Sequence, residues 1–481
     1  MSGLKKLASQ TAIYGLSSIL GRTLNFLLVI LHTRVLGKEA YGINTDLYVI
    51  IAFLAVVLSF GMETTFFRFA NKKPQEKEQV YASALFFIVC LLAFFFVILG
   101  TNFGSLSQML RYTDYPYLLW IGMSILALDV LSALPFARLR LENRAWRFAS
   151  IRLLQIGLTI VLNLVVFLLP ITNWGLPSPL DFPNGATYIF VINLLASGFM
   201  TLLLLPQLFA FRPSNVSGAH LKTMLAYSSP LVIGGLAGTV NEMLDRQMIK
   251  YILPKETSMQ QVGIYGAVYK ISIFMTLFIQ AFRYAAEPFF FQSAQQKNAP
   301  KTYALVLKYF VFAMALMLFG IVACIDLAKL FVGEDFREGI YVVPFLLAAN
   351  FFLGVQVNLS IWFKVTDKTR FGAYISIVGA LITVVLNLIL IPELGYFGAA
   401  ITTLVCYFSI AAITFILGQK HYPIPYETGK ILLVMLSCFG CAALSFYVFR
   451  GHILINLILG ILLLSVIFLS DHKNILALLK R

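Results

Sequence analysis

Charged residues are scarce in this 481-residue chain, of which only 12% is Asp, Glu, Lys or Arg and 60% is hydrophobic. Soluble domains carry about 25% charged residues, so the composition excludes a soluble protein. Apolar runs of membrane-spanning length recur along nearly the whole chain. A helix needs about 20 such residues to cross roughly 30 Å of hydrocarbon. The sequence therefore predicts an integral membrane protein.

Features that enzymes need are also missing. No predicted loop exceeds about 20 residues, and no Gly-x-x-x-x-Gly-Lys-Ser/Thr segment for ATP hydrolysis occurs. The five histidines show no metal-ligand spacing. The five cysteines lie inside apolar runs, and we interpret Cys438 and Cys441 as packing residues. We expect a protein that is not an enzyme and has no cofactor.

Fourteen transmembrane helices are predicted from the apolar runs. Because the runs are continuous and not alternating, helices are favoured over the strands of a barrel. The first run is too long for a cleaved signal peptide and is expected to remain as a span. The predicted spans lie near 12–35, 43–67, 80–100, 117–137, 149–169, 187–211, 226–248, 262–285, 304–325, 339–363, 371–391, 396–418, 429–449 and 452–470.

The basic residues are unevenly distributed between alternate loops. The formal net charge is +15, and with a cytoplasmic N-terminus the inner segments hold 22 Lys and Arg against 8 in the outer segments. This asymmetry follows the positive-inside rule and predicts that both termini are cytoplasmic. We attribute the excess positive charge to basic residues that orient the protein in the membrane and contact anionic lipids, and not to nucleic-acid binding.

Two halves of the chain share short sequence matches in the same order. "GINTDLYVI" from Gly42 aligns with "GIYGAVYKI" from Gly263 at an offset of 221, and "VLNL" at 161–164 recurs at 385–388. The repeat equates spans 1–6 with spans 7–12, and an even number of crossings gives the halves the same orientation, as in parallel-repeat transporters.

The repeat predicts two six-helix lobes in a parallel pseudo-twofold arrangement, followed by two added helices. The predicted segments are an N-terminal lobe at 1–211, a linker at 212–225, a C-terminal lobe at 226–418, and helices 13 and 14 with a cytoplasmic tail at 419–481.

Three segments carry a family resemblance: "ASQTAIYGLSSILGRTLNFLLVILHTRVLGKEAYGINTDLY", "GIYGAVYKI" and "NLILIPELGYFGAAITTLV". With the lobe arrangement, they resemble the polysaccharide transporter family of the MOP (multidrug/oligosaccharidyl-lipid/polysaccharide) superfamily, which includes flippases for O-antigen-type lipid-linked oligosaccharides. The resemblance implies alternating access in a bacterial inner membrane, through a central cavity lined largely by helices 1, 2, 7 and 8. It also implies a lipid-linked oligosaccharide as cargo and polysaccharide-assembly proteins as partners.

Two basic residues fall near the middle of predicted spans: Arg22 in span 1 and Lys270 in span 8. A buried charge in a membrane is expensive and needs a function or a partner. A guanidinium can bind phosphate oxygens in a bidentate manner, and an ammonium adds a point charge. We expect these residues to bind the phosphates of a lipid-linked sugar. The alternative is structural ion pairing, with Asp46 or Glu242 as partner.

Polar residues near these cations could contact the sugars. Asn25, Tyr48, Asn241, Tyr265 and Tyr269 offer hydrogen bonds and aromatic surface, and packing is the alternative role of the aromatic residues.

The segment "NEMLDRQMIK" of span 7 is too polar for lipid exposure. Arg246 follows Glu242 by four residues and adjoins Asp245. The three residues either pair with one another, or Arg246 contributes to substrate binding while Glu242 and Asp245 are candidates for ion coupling. Asp129 in span 4 is the other candidate for ion coupling, with proton or sodium as the ion, and pairing with a neighbouring helix is its alternative role. Arg152 and Lys308 lie near cytoplasmic span ends and are expected to reach water by snorkelling.

The sequence thus favours a flippase of an undecaprenyl-pyrophosphate-linked oligosaccharide. The alternative is a cation-coupled multidrug exporter of the same superfamily. Because span 1 holds no acid and its midplane charge is cationic, an anionic cargo is favoured.

Overall fold

The computed structural model describes residues 26–479 except 73, 169–183, 295, 297 and 367. Regular structure in this part of the chain is helical, without strands. Thirteen helical segments in it are long and apolar enough to cross a membrane, and they coincide with predicted spans 2 to 14. The predicted all-α membrane architecture is confirmed. Predicted span 1 is represented by its last part, Phe26–Val35, while Arg22 and Asn25 lie outside the described residues.

The helices are numbered in chain order. The first ten are α1 (Phe26–Val35), α2 (Lys38–Ser59), α3 (Met62–Lys72), α4 (Lys77–Thr101), α5 (Phe103–Met109), α6 (Pro116–Leu141), α7 (Ala145–Leu168), α8 (Ala186–Leu203), α9 (Leu205–Leu208) and α10 (Gly218–Ile252). The others are α11 (Lys255–Tyr269), α12 (Ile273–Ser293), α13 (Ala299–Ala323), α14 (Ile325–Ala328), α15 (Val343–Leu359), α16 (Ile361–Val365), α17 (Arg370–Leu394), α18 (Tyr396–His421), α19 (Thr428–Ala443) and α20 (Ile453–Leu479).

The chain divides into two compact units between Thr239 and Val240. The division falls inside α10, which begins at Gly218, within the segment predicted as a linker. In the N-terminal unit, α6 packs against α2, α4 and α8, and α7 packs against α8. In the C-terminal unit, α18 packs against α15 and α17, and α13 packs against α15, α19 and α20.

Small residues let neighbouring helices approach closely, as is common in membranes. A Cβ atom on Gly398 of α18 would lie 2.5 Å from the carbonyl oxygen of Leu390 in α17. In the N-terminal unit, a Cβ atom on Gly122 of α6 would lie 3.2 Å from the side chain of Leu47 in α2. The contact at Gly398 requires glycine, whereas a Cβ atom on Gly122 would force the Leu47 side chain to shift by a few tenths of an ångström.

Two predicted spans are interrupted. Phe60 (φ 47°) and Gly61 (φ 62°) adopt left-handed backbone conformations, which end α2 before α3 begins. Span 8 is divided by a 3₁₀ turn, Lys270–Ser272, between α11 and α12. Mid-helix 3₁₀ turns often mark functional positions, and this one lies near the middle of the candidate span Lys255–Arg283.

Candidate substrate-binding site

Asp245 and Arg246 form a buried ion pair in α10, within the C-terminal unit. Arg246 Nη1 lies 2.8 Å from Asp245 Oδ1, and the residues are 6% and 3% exposed, respectively. The backbone N–H of Arg246 also donates to Oδ1 at 2.8 Å, and Nη1 donates to the carbonyl oxygen of Glu242. Of the two roles considered for Arg246, pairing with a neighbouring acid is the one that its contacts support.

Hydroxyl groups from two other helices meet the second oxygen of Asp245. Tyr265 of α11 donates its phenolic hydrogen to Asp245 Oδ2 at 2.6 Å. Thr403 of α18 lies 3.5 Å from the same oxygen and donates to the carbonyl oxygen of Ala399 at 2.9 Å. The sequence analysis missed Thr403, because neither of the two threonines in the apolar run "AAITTLV" has a charged neighbour that would indicate a site.

Two tyrosine rings enclose the Arg246 guanidinium. Its central carbon lies 4.2 Å from the ring centroid of Tyr269 and 5.3 Å from that of Tyr265. The two tyrosines are four residues apart and therefore share one face of α11, with ring centroids separated by 5.8 Å. Desolvated cation–π contacts of this kind contribute about 2 kcal/mol. Tyr269, expected to contact sugar, thus also holds Arg246.

Lys270 and Glu242 differ from this buried pair, because both are exposed although each lies in a membrane-spanning candidate. Lys270 lies within electrostatic reach of Glu242 and Arg246. Among the described residues, no ion pair joins Lys270 to a carboxylate. Asp46, the other partner considered, is buried in the N-terminal unit and accepts a hydrogen bond from Tyr112 at 2.7 Å.

Asn241 adjoins the charged cluster. Its Nδ2 donates to the carbonyl oxygen of Ser376 at 3.1 Å, whereas its Oδ1 is buried without a hydrogen-bond partner. The hydroxyl of Tyr407 lies 3.5 Å from the Asn241 carbonyl oxygen. Buried polar atoms are normally satisfied, so the Asn241 amide oxygen, which packs close to Gly379 of α17, is an exception to this rule.

A second polar group lies in the N-terminal unit and contains Tyr48 and Asp129, both exposed. Ser197 of α8 donates to Asp129 Oδ1 at 2.8 Å. Asp129 therefore has a partner on a neighbouring helix, which is the alternative to ion coupling that the sequence analysis left open. Asn193 donates to the Tyr48 hydroxyl, and the Tyr48 ring stacks on Phe190 with centroids 5.2 Å apart. Asn193 and Ser197 are one turn apart on α8, so a single helix face holds both candidates.

The expectation that Lys308 snorkels to water is wrong. Lys308 is fully buried, and its ammonium lies 2.6 Å from Glu427 Oε1 and 2.8 Å from Asp471 Oδ2. The reason is that the chain after α18 and the end of α20 bring two acids to α13. Arg152 packs its guanidinium 4.2 Å above the ring of Phe136.

Comparison with known proteins identifies the architecture. A family model described as "Polysaccharide biosynthesis protein" matches residues 7–294. No curated protein matches the chain. Among solved structures, the lipid II flippase MurJ in an inward closed conformation aligns with 96% of this chain and 99% of its own, with a TM-score of 0.73 and 14% identity.

Two further solved structures share the fold. An inward-facing multidrug resistance MATE family transporter of the MOP superfamily aligns with 83% of this chain and 94% of its own, with a TM-score of 0.67 and 16% identity. A MOP superfamily transporter from Pyrococcus furiosus, described as having a binding pocket of reversed polarity, aligns with 85% of this chain and 95% of its own, with a TM-score of 0.60 and 15% identity.

Proposed function

Because this chain belongs to the polysaccharide biosynthesis protein family and has a MOP transporter fold, we propose that it flips an undecaprenyl-pyrophosphate-linked oligosaccharide. The cargo moves by alternating access from the cytoplasmic to the outer leaflet of a bacterial inner membrane, with both protein termini in the cytoplasm. Polysaccharide-assembly proteins then use the glycan for O-antigen-type lipopolysaccharide. The family supports a role in polysaccharide biosynthesis, and the named glycolipid is our proposal.

The position of Lys270, an exposed residue, is the observation that carries the proposal. It lies at a 3₁₀ turn near the middle of a span, beside Tyr269, without an ion-pair partner among the described residues. An unpaired cation at this depth is costly unless it serves function. A pyrophosphate would supply the missing counter-charge through charge-assisted hydrogen bonds. Arg22 is the second cation that we assign to the phosphates.

Arg246 has a positioning role in this proposal. Its guanidinium contacts Asp245 and the rings of Tyr265 and Tyr269. These contacts occupy most of the group, so few of its N–H donors could bind a ligand. Because Asp245 neutralises this guanidinium, Arg246 fixes the position of Tyr269 beside Lys270 and does not bind the anion itself. The saccharide is assigned to Asn241, Tyr269, Tyr48 and Asn25.

Ion coupling is assigned to the two exposed acids, Glu242 and Asp129. Glu242 and Asp129 are exposed within their helices, so protonation or sodium binding would not first have to break a buried ion pair. Asp245 has both oxygens occupied, by Arg246 on one side and by Tyr265 on the other. We therefore rank Asp245 below the two exposed acids as the coupling site.

The second candidate function is cation-coupled multidrug export. It is favoured by the same exposed acids and by the shared fold of the MATE transporter. Deleting the gene in its own bacterium separates the two functions. A flippase predicts loss of surface polysaccharide, restored by the wild-type gene, with unchanged sensitivity to cationic drugs. An exporter predicts increased drug sensitivity with normal surface polysaccharide, which would overturn the flippase proposal.

A further inference from the structure

An apolar groove of about 440 Å³ lies on the C-terminal unit among α13, α15, α18 and α19. All of its lining residues are uncharged, and they include Val322, Ala348, Phe352, Phe408, Phe439 and Tyr447. The groove is open at its side, because Phe408 and Tyr447 are 52% and 56% exposed. All four helices belong to membrane-spanning candidates, so a hydrocarbon chain, not water, is the natural occupant of this space.

The length of the groove matches one leaflet. Its walls extend from Pro344 to Phe352 on α15, and from Phe439 in α19 to Tyr447 in the helical turn that follows α19. Eight residues of helix rise about 12 Å, and half of the hydrocarbon core is about 15 Å. At the Phe352 end, the ring of Phe352 contacts the rings of Phe408 and Phe439, with centroids 5.0 and 5.7 Å apart.

Two cations share one acid beyond the end of the groove that is opposite Phe352. Lys329 Nζ lies 2.8 Å and Arg450 Nη2 lies 3.2 Å from Asp326 Oδ1. The hydrogen bond from Lys329 and, to a lesser degree, the charge of Arg450 lower the pKa of Asp326, so the carboxylate is ionised at neutral pH. The cluster keeps one net positive charge.

Aromatic contacts connect this cation cluster to the groove. The Arg450 guanidinium lies 5.1 Å from the ring centroid of Phe446. The ring of Phe446 in turn contacts that of Tyr447, a lining residue, with centroids 4.9 Å apart. The positive charge is therefore two ring contacts away from the groove wall, at the end where the helices leave the membrane-spanning region.

We infer that this groove binds one acyl chain of an anionic glycerophospholipid, with the lipid phosphate at Lys329 and Arg450. The apolar walls exclude a polar ligand, and the net positive charge at the mouth complements a phosphate. The groove holds about one leaflet's length of chain. It therefore fits an acyl chain and is too short for a polyprenyl tail, which is much longer. The inference does not depend on the proposed function.

Native mass spectrometry of the purified full-length protein, with phosphatidylglycerol and phosphatidylcholine in competition, tests this site. We expect wild-type protein to retain phosphatidylglycerol preferentially. Lys329→Gln and Arg450→Gln should each lower that preference about fivefold, because a basic residue near a lipid surface contributes on this scale. Arg337→Gln is the matched control, since Arg337 lies in the same connecting segment but pairs with Glu334 and not with Asp326.

Two variants that fill the groove complete the test. Ala443→Trp adds a ring at an exposed lining position and Ala348→Trp at a half-buried one, and both should abolish the retained lipid while the protein elutes normally on gel filtration. The exposed position keeps the test valid if Ala348→Trp fails to fold. Unchanged retention in Ala443→Trp, equal effects of Arg450→Gln and Arg337→Gln, or displacement of phosphatidylglycerol by equimolar polyprenyl phosphate would each overturn the inference.

Discussion

Tyr265 donates its phenolic hydrogen to one oxygen of Asp245 at 2.6 Å, while Arg246 holds the other oxygen at 2.8 Å. A buried acid in a membrane span is thus satisfied from within the C-terminal unit. The exposed charges beside it, Glu242 and Lys270, make no such ion pair within the described part of the chain. The structure therefore separates a buried charge pair from two exposed charges that make no ion pair among the described residues.

A double-mutant cycle on the buried pair tests this separation. We expect Asp245→Asn and Arg246→Met to destabilise the protein by about 3 kcal/mol each, because each leaves its partner uncompensated. The double variant should be more stable than the sum of the single effects predicts. Thermal unfolding in detergent is the measurement. Strictly additive effects would mean that the two side chains do not interact.

Asp129 gives a prediction about ion coupling. If this exposed acid binds the coupling ion, Asp129→Asn should remove the stimulation of transport by an imposed proton or sodium gradient and retain the basal rate. Glu63→Gln is the control, because Glu63 is already paired with Arg140 and should leave the stimulation intact. A gradient response of wild-type size in Asp129→Asn would exclude Asp129 as the coupling site.

Glu427 gives a prediction about acid stability. Hydrogen bonds from Lys308 and then Lys430 lower its pKa in the folded protein, whereas in the unfolded chain it titrates near pH 4.3, the ordinary value for glutamate. Its stabilising contribution is therefore complete above about pH 4.3 and is lost as the pH falls through the lower folded pKa.

Thermal unfolding measured between pH 7 and pH 3 checks this contribution. Glu427→Gln should lower the unfolding temperature at pH 7 and weaken its further fall in acid. Glu334→Gln is the control, since that carboxylate is 85% exposed. The account of the Lys308 cluster fails if Glu427→Gln and wild type lose the same stability between pH 5 and pH 3.

The membrane spans could be predicted because about 20 apolar residues are both necessary and visible in sequence. The interruptions within the spans could not be predicted in this way. Phe60 and Gly61 end α2 inside an apolar run, and a left-handed backbone conformation at Phe60 has no compositional sign. The same holds for the 3₁₀ turn that begins at Lys270.

Partners of the charged residues were predictable only where they are neighbours in sequence. Pairing of Arg246 within its own helix was foreseeable from the adjacent Asp245. The contacts of Lys308 with Glu427 and Asp471 span more than 100 residues, and neither hydropathy nor spacing indicates which helices pack together. For this reason the sequence predicted that Lys308 reaches water, and not that it is buried in an ion pair.

Flipping of a fluorescent undecaprenyl-pyrophosphate-linked oligosaccharide in proteoliposomes tests the central claim most directly. Charged hydrogen bonds contribute about 1.5–3 kcal/mol, so we expect Lys270→Gln and Arg22→Gln each to slow flipping roughly tenfold to a hundredfold. Lys270→Arg, which keeps the charge, should retain much of the rate. Near-normal flipping by both glutamine variants, in correctly inserted protein, would contradict the assignment of these cations to the phosphates.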